Sequence, residues 1–143
     1  MIIEIRQHAF DPHAELIRHQ AQMTHAGKYG ATVSFIGTMR DINEDKTVTA
    51  MTLEHYPGMT EKYLQRISEE ACRRWDVLDT LIVHRVGALA PNDPIVLIGV
   101  WAAHRSAAFE ACRYLIEELK GRAPFWKKEQ GRDAGRWVER NTI

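Results

Sequence analysis

Residues 95–122 read IVLIGVWAAHRSAAFEACRYLIEELKGR. The first nine residues are nearly all apolar, which predicts a strand buried on both faces. After His104-Arg105-Ser106 the pattern changes. Ala108, Cys112, Leu115, Ile116 and Leu119 recur at helical spacing, with Gly121 as the expected C-terminal cap and Pro124 as the stop. A fully buried strand running into an amphipathic helix needs packing partners on both sides, so the rest of the chain has to supply further strands and helices.

Working outward, Ile2 to His8 alternates as a short strand, and Asp11-Pro12 opens a helix reaching about Met23. Ala31 to Arg40 predicts a strand with Val33, Phe35 and Met39 on one face and Thr32, Ser34 and Thr38 on the other. Gly37 interrupts it. Asp41 to Lys46 (DINEDK) is a polar loop, and Val48 to Tyr56 is expected to return antiparallel to the preceding strand. Pro57-Gly58 breaks the chain before a helix from Met59 to about Trp75, and Leu78 to Val86 is a third strand. Past Pro124, Phe125 to Glu129 and Arg136 to Glu139 read as two short closing strands. With neither repeat nor linker, these elements predict one α+β domain over residues 1–143.

The composition narrows the function. Nineteen basic and nineteen acidic residues give no net charge, which argues against a nucleic-acid footprint. The charge is uneven, however: residues 104–140 hold nine Lys/Arg against six Asp/Glu, and residues 41–79 hold five against nine. An anion site belongs to the C-terminal third. Cys72 and Cys112 lack metal-ligand spacing and read as reduced core thiols. No apolar run reaches the roughly 18 residues of a membrane span, so the expectation is a cytoplasmic protein without a membrane partner.

Candidate chemistry gathers at the ends of the predicted elements. His104 and Arg105 sit where a helix N-terminus offers unpaired N–H groups to an anion. Arg40 ends a strand next to Gly37 and is placed for bidentate anion contact. Lys120 lies in the last turn of its helix, where a cation also has a purely structural explanation. Lys127 and Lys128 fall on opposite faces of a strand, Lys127 with Phe125 and Glu129 and Lys128 with Trp126, and spacing does not choose between them. Nucleophile elbow, Walker loop and dinucleotide fingerprint are all missing. On residues alone, the same cations suit an enzyme acting unaided on a phosphorylated small molecule, or a non-catalytic receptor for a small protein.

The stretches TLEHYPGMTEK (52–62), HRVGAL (84–89), AHRSAAFEACRYLIEELKGRAPFWKKE (103–129) and RWVE (136–139) resemble the molybdopterin synthase large-subunit family, over about residues 30–139. The resemblance implies an α/β hammerhead with a small additional antiparallel β subdomain. It implies a homodimer core carrying a small ubiquitin-like sulfur-carrier subunit at each end, a heterotetramer in all. The carrier's C-terminal Gly-Gly thiocarboxylate would enter the large subunit's pocket. Two sulfurs would pass to cyclic pyranopterin monophosphate (precursor Z) to make the molybdopterin dithiolene, with no cofactor of the chain's own and no metal. Carried over by motif, the substrate-binding positions are Thr38, Met39, Arg40, His104, Arg105, Lys120, Lys127, Lys128 and Glu129. Lys120 and Lys127 take the catalytic role. The resemblance thus favours Lys127 over Lys128, and leaves open which copy of a dimer supplies each residue.

Overall fold

The computed structural model describes residues 1–43, 46–131 and 136–138. The apolar run is the centre of the molecule. It forms β7 (Pro94–Ala102), reached after β1 (Ile2–Arg6), α1 (Pro12–Gln22), β2 (Ala31–Thr38), β3 (Ile42–Asn43), β4 (Lys46–His55), α2 (Met59–Arg74), β5 (Val77–Arg85) and β6 (Gly87–Leu89). After it come α3 (Arg105–Arg122), β8 (Phe125–Gly131) and β9 (Arg136–Val138).

β7 is apolar on both faces because both faces are covered. The first sheet has the order β1-β5-β7-β2, with β1 parallel to β5 and the other pairs antiparallel. Val96, Ile98, Val100 and Ala102 join Leu64, Ile67, Ala71, Cys112, Leu115 and Leu119 of α2 and α3 in the main core. Leu97 and Trp101 point the other way, into a core with Leu81, Val83 and Phe10 against which Leu16 of α1 packs. Each fully buried Leu or Ile adds roughly 1.5–3 kcal/mol.

The helix starts follow local chemistry. The Asp11 carboxylate accepts from the His13 and Ala14 amides, with Pro12 as the first helical residue. Gly58 precedes α2 at φ +87, a conformation natural only to glycine, and its N–H donates to the Glu61 carboxylate at 3.1 Å.

A second sheet, β3-β4-β8-β9 with β6 also on β4, is wholly antiparallel and closes on its own core of Met39, Val48, Met51, Leu53, Leu89 and Ile95. Here the structure corrects the expected topology. β4 pairs with β6 and β8, not with β2. The cause is a register shift between Gly37 and Thr38. A bulge bends the strand and breaks its alternation. Met39 therefore leaves the face of Val33 and Phe35 and enters the second core.

Three smaller expectations also change. α3 runs past Gly121 to Arg122, with Ala123 as its C-cap. Ile42 and Asn43 of the supposed polar loop pair with Thr47 and Lys46. β6 was not anticipated, because three residues carry too little pattern to register. The expected strand end at Glu139 lies outside the described residues.

Candidate active site

Three elements aim cations at one region where the two sheets meet. Arg40 leaves β2 just after the bulge. The backbone of Met39 is pinned from both sides by the turn before β7: its N–H donates to the Asp93 carbonyl at 2.9 Å, and its carbonyl accepts from the Asn92 N–H at 2.8 Å. The turn itself is held by the Asp93 carboxylate, which accepts from the Ala90 N–H at 2.9 Å and lies 3.5 Å from Arg85 Nη1. With its side chain in the second core and its backbone clamped, Met39 fixes the exit direction of Arg40. Thr38, on the other face, is exposed.

Lys120 comes from the last turn of α3, half-buried. Lys127 comes from β8, whose start is tied to α2 through Thr60. The Thr60 hydroxyl donates to the Pro124 carbonyl and accepts from the Tyr56 N–H, both at 3.0 Å. Lys127 and Glu129 share a face of β8, each only 4% exposed, with Nζ and Oε1 3.7 Å apart. Lys128 occupies the register position opposite Thr52 and Trp137.

The electrostatics follow from this crowding. Burial is the main cause that pushes the Lys127 ammonium below the ordinary lysine range; Glu129 opposes it, and the charges of Lys120 and Arg40 add to it. Burial likewise lowers Lys120, against Glu117 and helped by Arg40. Arg40, Lys120 and Lys127 are thus one electrostatic unit. Such a cluster of cations attracts an anion, and its lysines release a proton more readily than free ones.

His104 and Arg105 are not part of that unit within one chain. His104 is the N-cap of α3, without a side-chain cap bond, and both side chains are exposed. Arg105 and Lys120 stand fifteen residues apart on one helix, or about 22 Å at 1.5 Å per residue. The first turn of α3 carries no acidic side chain, so its N–H groups and the two cations are available to an anion. One chain carries a cluster of three cations at one end of α3 and a second anion-seeking pair at the other.

Spacing did not reveal the supporting residues. Asn92, Asp93 and Thr60 carry no signal in the spacing, because the groups they bond are remote in sequence. His84 is fully buried and stacks on Phe125 with ring centroids 3.9 Å apart, two residues before Lys127. Its Nδ1 bonds the Arg85 carbonyl at 2.8 Å, and burial pushes its pKa down to about 4. The His55 ring lies 6.5 Å from the same Phe125 ring.

A family model described as MoaE protein matches residues 5–122. The chain is 50% identical over 139 residues to the molybdopterin synthase catalytic subunit of Pseudomonas aeruginosa, covering 97% of this chain and 91% of the relative. It is 52% identical over 110 residues to that of Escherichia coli, covering 77% and 73%. Among solved structures, the molybdopterin biosynthesis MoaE protein of Burkholderia ambifaria is 48% identical with a TM-score of 0.81, over 99% of this chain and 91% of that one. Molybdopterin synthase of Staphylococcus aureus is 34% identical with a TM-score of 0.82, over 94% and 95%.

Proposed function

The chain belongs to the MoaE protein family, that of the molybdopterin synthase catalytic subunits, and from that premise we propose how its pocket works. As such a subunit it is a sulfurtransferase of molybdenum cofactor biosynthesis and pairs with a small sulfur-carrier subunit. The substrate is cyclic pyranopterin monophosphate, and the sulfur arrives as the thiocarboxylate at the carrier's Gly-Gly terminus. Sulfur is thus delivered by the partner, and the scheme needs neither a resident cofactor nor a nucleophile of the chain's own.

One observation carries the assignment of roles: Lys120 and Lys127, both with lowered proton affinity, lie close enough to Arg40 for its charge to act on each of them. Arg40 holds the phosphate or the charge that develops as its ring opens. A lysine that gives up its proton easily serves as acid and then base while sulfur attacks and the acyl carrier leaves. Glu129 offsets part of the loss of proton affinity that burial imposes on Lys127. Met39 sets the Arg40 direction, and Thr38 and Lys128 remain binding candidates by motif alone.

The 22 Å along α3 supports a further part of this reading. His104 and Arg105 act on the pocket of a second copy, in a homodimer whose two composite sites each face a carrier. Phe109, 59% exposed one turn after Arg105, offers the apolar contact such a dimer needs at that end of the helix. A cytoplasmic setting fits two free cysteines and the lack, among the described residues, of a helix long and apolar enough to cross a membrane.

The experiment is a single assay of the purified chain with the pyranopterin and the carrier, the latter with or without its thiocarboxylate. The expected result is dithiolene product only with the thiocarboxylated carrier. Turnover without any carrier would instead indicate an enzyme that acts alone. Carrier binding with no pterin conversion would reduce the chain to a receptor.

A further inference from the structure

The groove between α2 and α3 holds a charged cluster that sulfur transfer leaves unused. Its cavity, about 300 Å³, is lined by Tyr63, Arg66 and Arg73 from α2 and by Tyr114, Glu118 and Arg122 from α3. Positions 114, 118 and 122 form one stripe of α3, whereas Lys120 projects from roughly the opposite side of the helix. The groove is therefore separate from the lysine pocket.

Its carboxylates are already engaged. Glu118 accepts from the Tyr63 hydroxyl at 2.9 Å, and its Oε2 lies 3.7 Å from Arg122 Nε. Glu70 at the rim is paired with Arg73. Two guanidinium groups are held differently. Arg66 lies over the Tyr63 ring, 5.0 Å from its centroid. Arg74, beside the cavity, lies 4.7 Å from the centroid of Trp75 and 4.9 Å from that of Tyr114. Among the described residues neither has a carboxylate at ion-pair distance. Stacking uses the face of a guanidinium and leaves its edge N–H groups free, while limiting the rotamers the side chain must give up on binding. With Arg74 and Glu69 at its edge included, the groove holds four arginines against three carboxylates and keeps an excess of positive charge. The fork of N–H donors suits phosphate oxygens, and the volume is at the lower end of small-molecule sites.

We infer that the α2–α3 groove is a second anion site, which takes a small phosphate-bearing molecule with at least two negative charges through Arg66, Arg73 and Arg122. Glu70 and Glu118 set the positions of Arg73 and Arg122, and the stacked Arg66 supplies a donor edge with no carboxylate at ion-pair distance among the described residues.

The test is a titration of inorganic pyrophosphate into the full chain carrying Lys120→Ala, Lys127→Ala, His104→Ala and Arg105→Ala, which removes the lysines on the other side of α3 and the cationic pair at its start. Amide chemical shifts report the location. The expected result is saturable binding with shifts confined to residues 63–74 and 114–122, weakened at least tenfold by Arg66→Gln with Arg73→Gln. Both side chains are exposed, so an unchanged melting temperature verifies the fold of that variant. No saturable shift in the groove, or equal affinity after the arginine substitutions, would overturn the inference. So would occupation of the groove only by a polyglutamate peptide, or only by phosphatidic acid vesicles.

Discussion

Lys127 Nζ and Glu129 Oε1 lie 3.7 Å apart on one face of β8, and both side chains are almost entirely out of solvent. A buried charge pair at that separation is costly to keep and more costly to halve. Replacing both residues at once, by Lys127→Met with Glu129→Leu, is expected to give a melting temperature above that of either single variant. Thermal denaturation of the three proteins checks this.

The same pair sets a pH dependence. Glu129 raises the proton affinity that burial, Lys120 and Arg40 depress at Lys127. In Glu129→Gln the Lys127 ammonium gives up its proton at lower pH than in the parent chain. The limb of the kcat/KM profile that reports this proton shifts toward acid, and a profile of both proteins measures it.

Lys120→Ala and Lys127→Ala are each expected to lower product formation by about 10²–10⁴-fold, the usual scale for a positioned acid or base. Circular dichroism well below the melting temperature should remain that of the parent, although Lys127→Ala, which halves the buried pair with Glu129, also lowers the melting temperature. Parent-like turnover in either variant would remove that lysine from the mechanism.

A mixing experiment tests the composite site. His104→Ala with Arg105→Ala disables one contribution, and Lys120→Ala with Lys127→Ala disables the other. When the two inactive proteins are mixed one to one and allowed to exchange subunits, half of the dimers are mixed and each holds one intact site. Activity should return to about a quarter of the parent value for a two-fold symmetric dimer. A mixture as inactive as its components would place all five residues in one chain's site.

His84 predicts acid sensitivity. It is neutral and buried in the native fold, with its pKa pushed down from 6.5 to about 4. The unfolded chain takes up this proton as pH falls below about 6.5, and the folded chain does not until about pH 4. Stability therefore falls with pH across that window, by at most roughly 3 kcal/mol. His84→Phe keeps the stack on Phe125 and should flatten the dependence of melting temperature on pH.

Gly30 is expected to tolerate no side chain. A Cβ there would sit 2.5 Å from the Ala103 carbonyl oxygen, and the Gly30 N–H already donates to Ala102 at 3.0 Å. Gly30→Ala should cost about 1–3 kcal/mol in denaturant unfolding. It should also weaken substrate affinity, because the displaced carbonyl immediately precedes His104.

The elements that carry strong periodicity were legible before any coordinates. Asp11-Pro12 marked α1, the apolar run marked β7, and the stripe from Ala108 to Leu119 marked α3. What escaped was pairing. Gly37 was recognised as an interruption, but a bulge acts by redirecting everything after it, and alternation alone does not say which sheet the chain enters next. The site was legible as a set of residue types and, through resemblance, as a set of positions. Its partition was not, because the spacing of Arg105 and Lys120 becomes a distance only once the intervening residues are one unbroken helix. The turn at Asn92-Asp93 and the hydroxyl of Thr60 stayed hidden because their partners are remote in sequence.

The rigidity of α3 has one last consequence. In the dimer proposed, a single rod holds a fitting for one reaction chamber at its head and a fitting for the other at its tail. Its length is then the gauge between two chambers. Deleting or adding one turn would detune both together, whereas a point change at either end would silence one function in each chamber and leave the geometry intact. The helix is in this sense a dimension of the assembly more than a wall of either chamber.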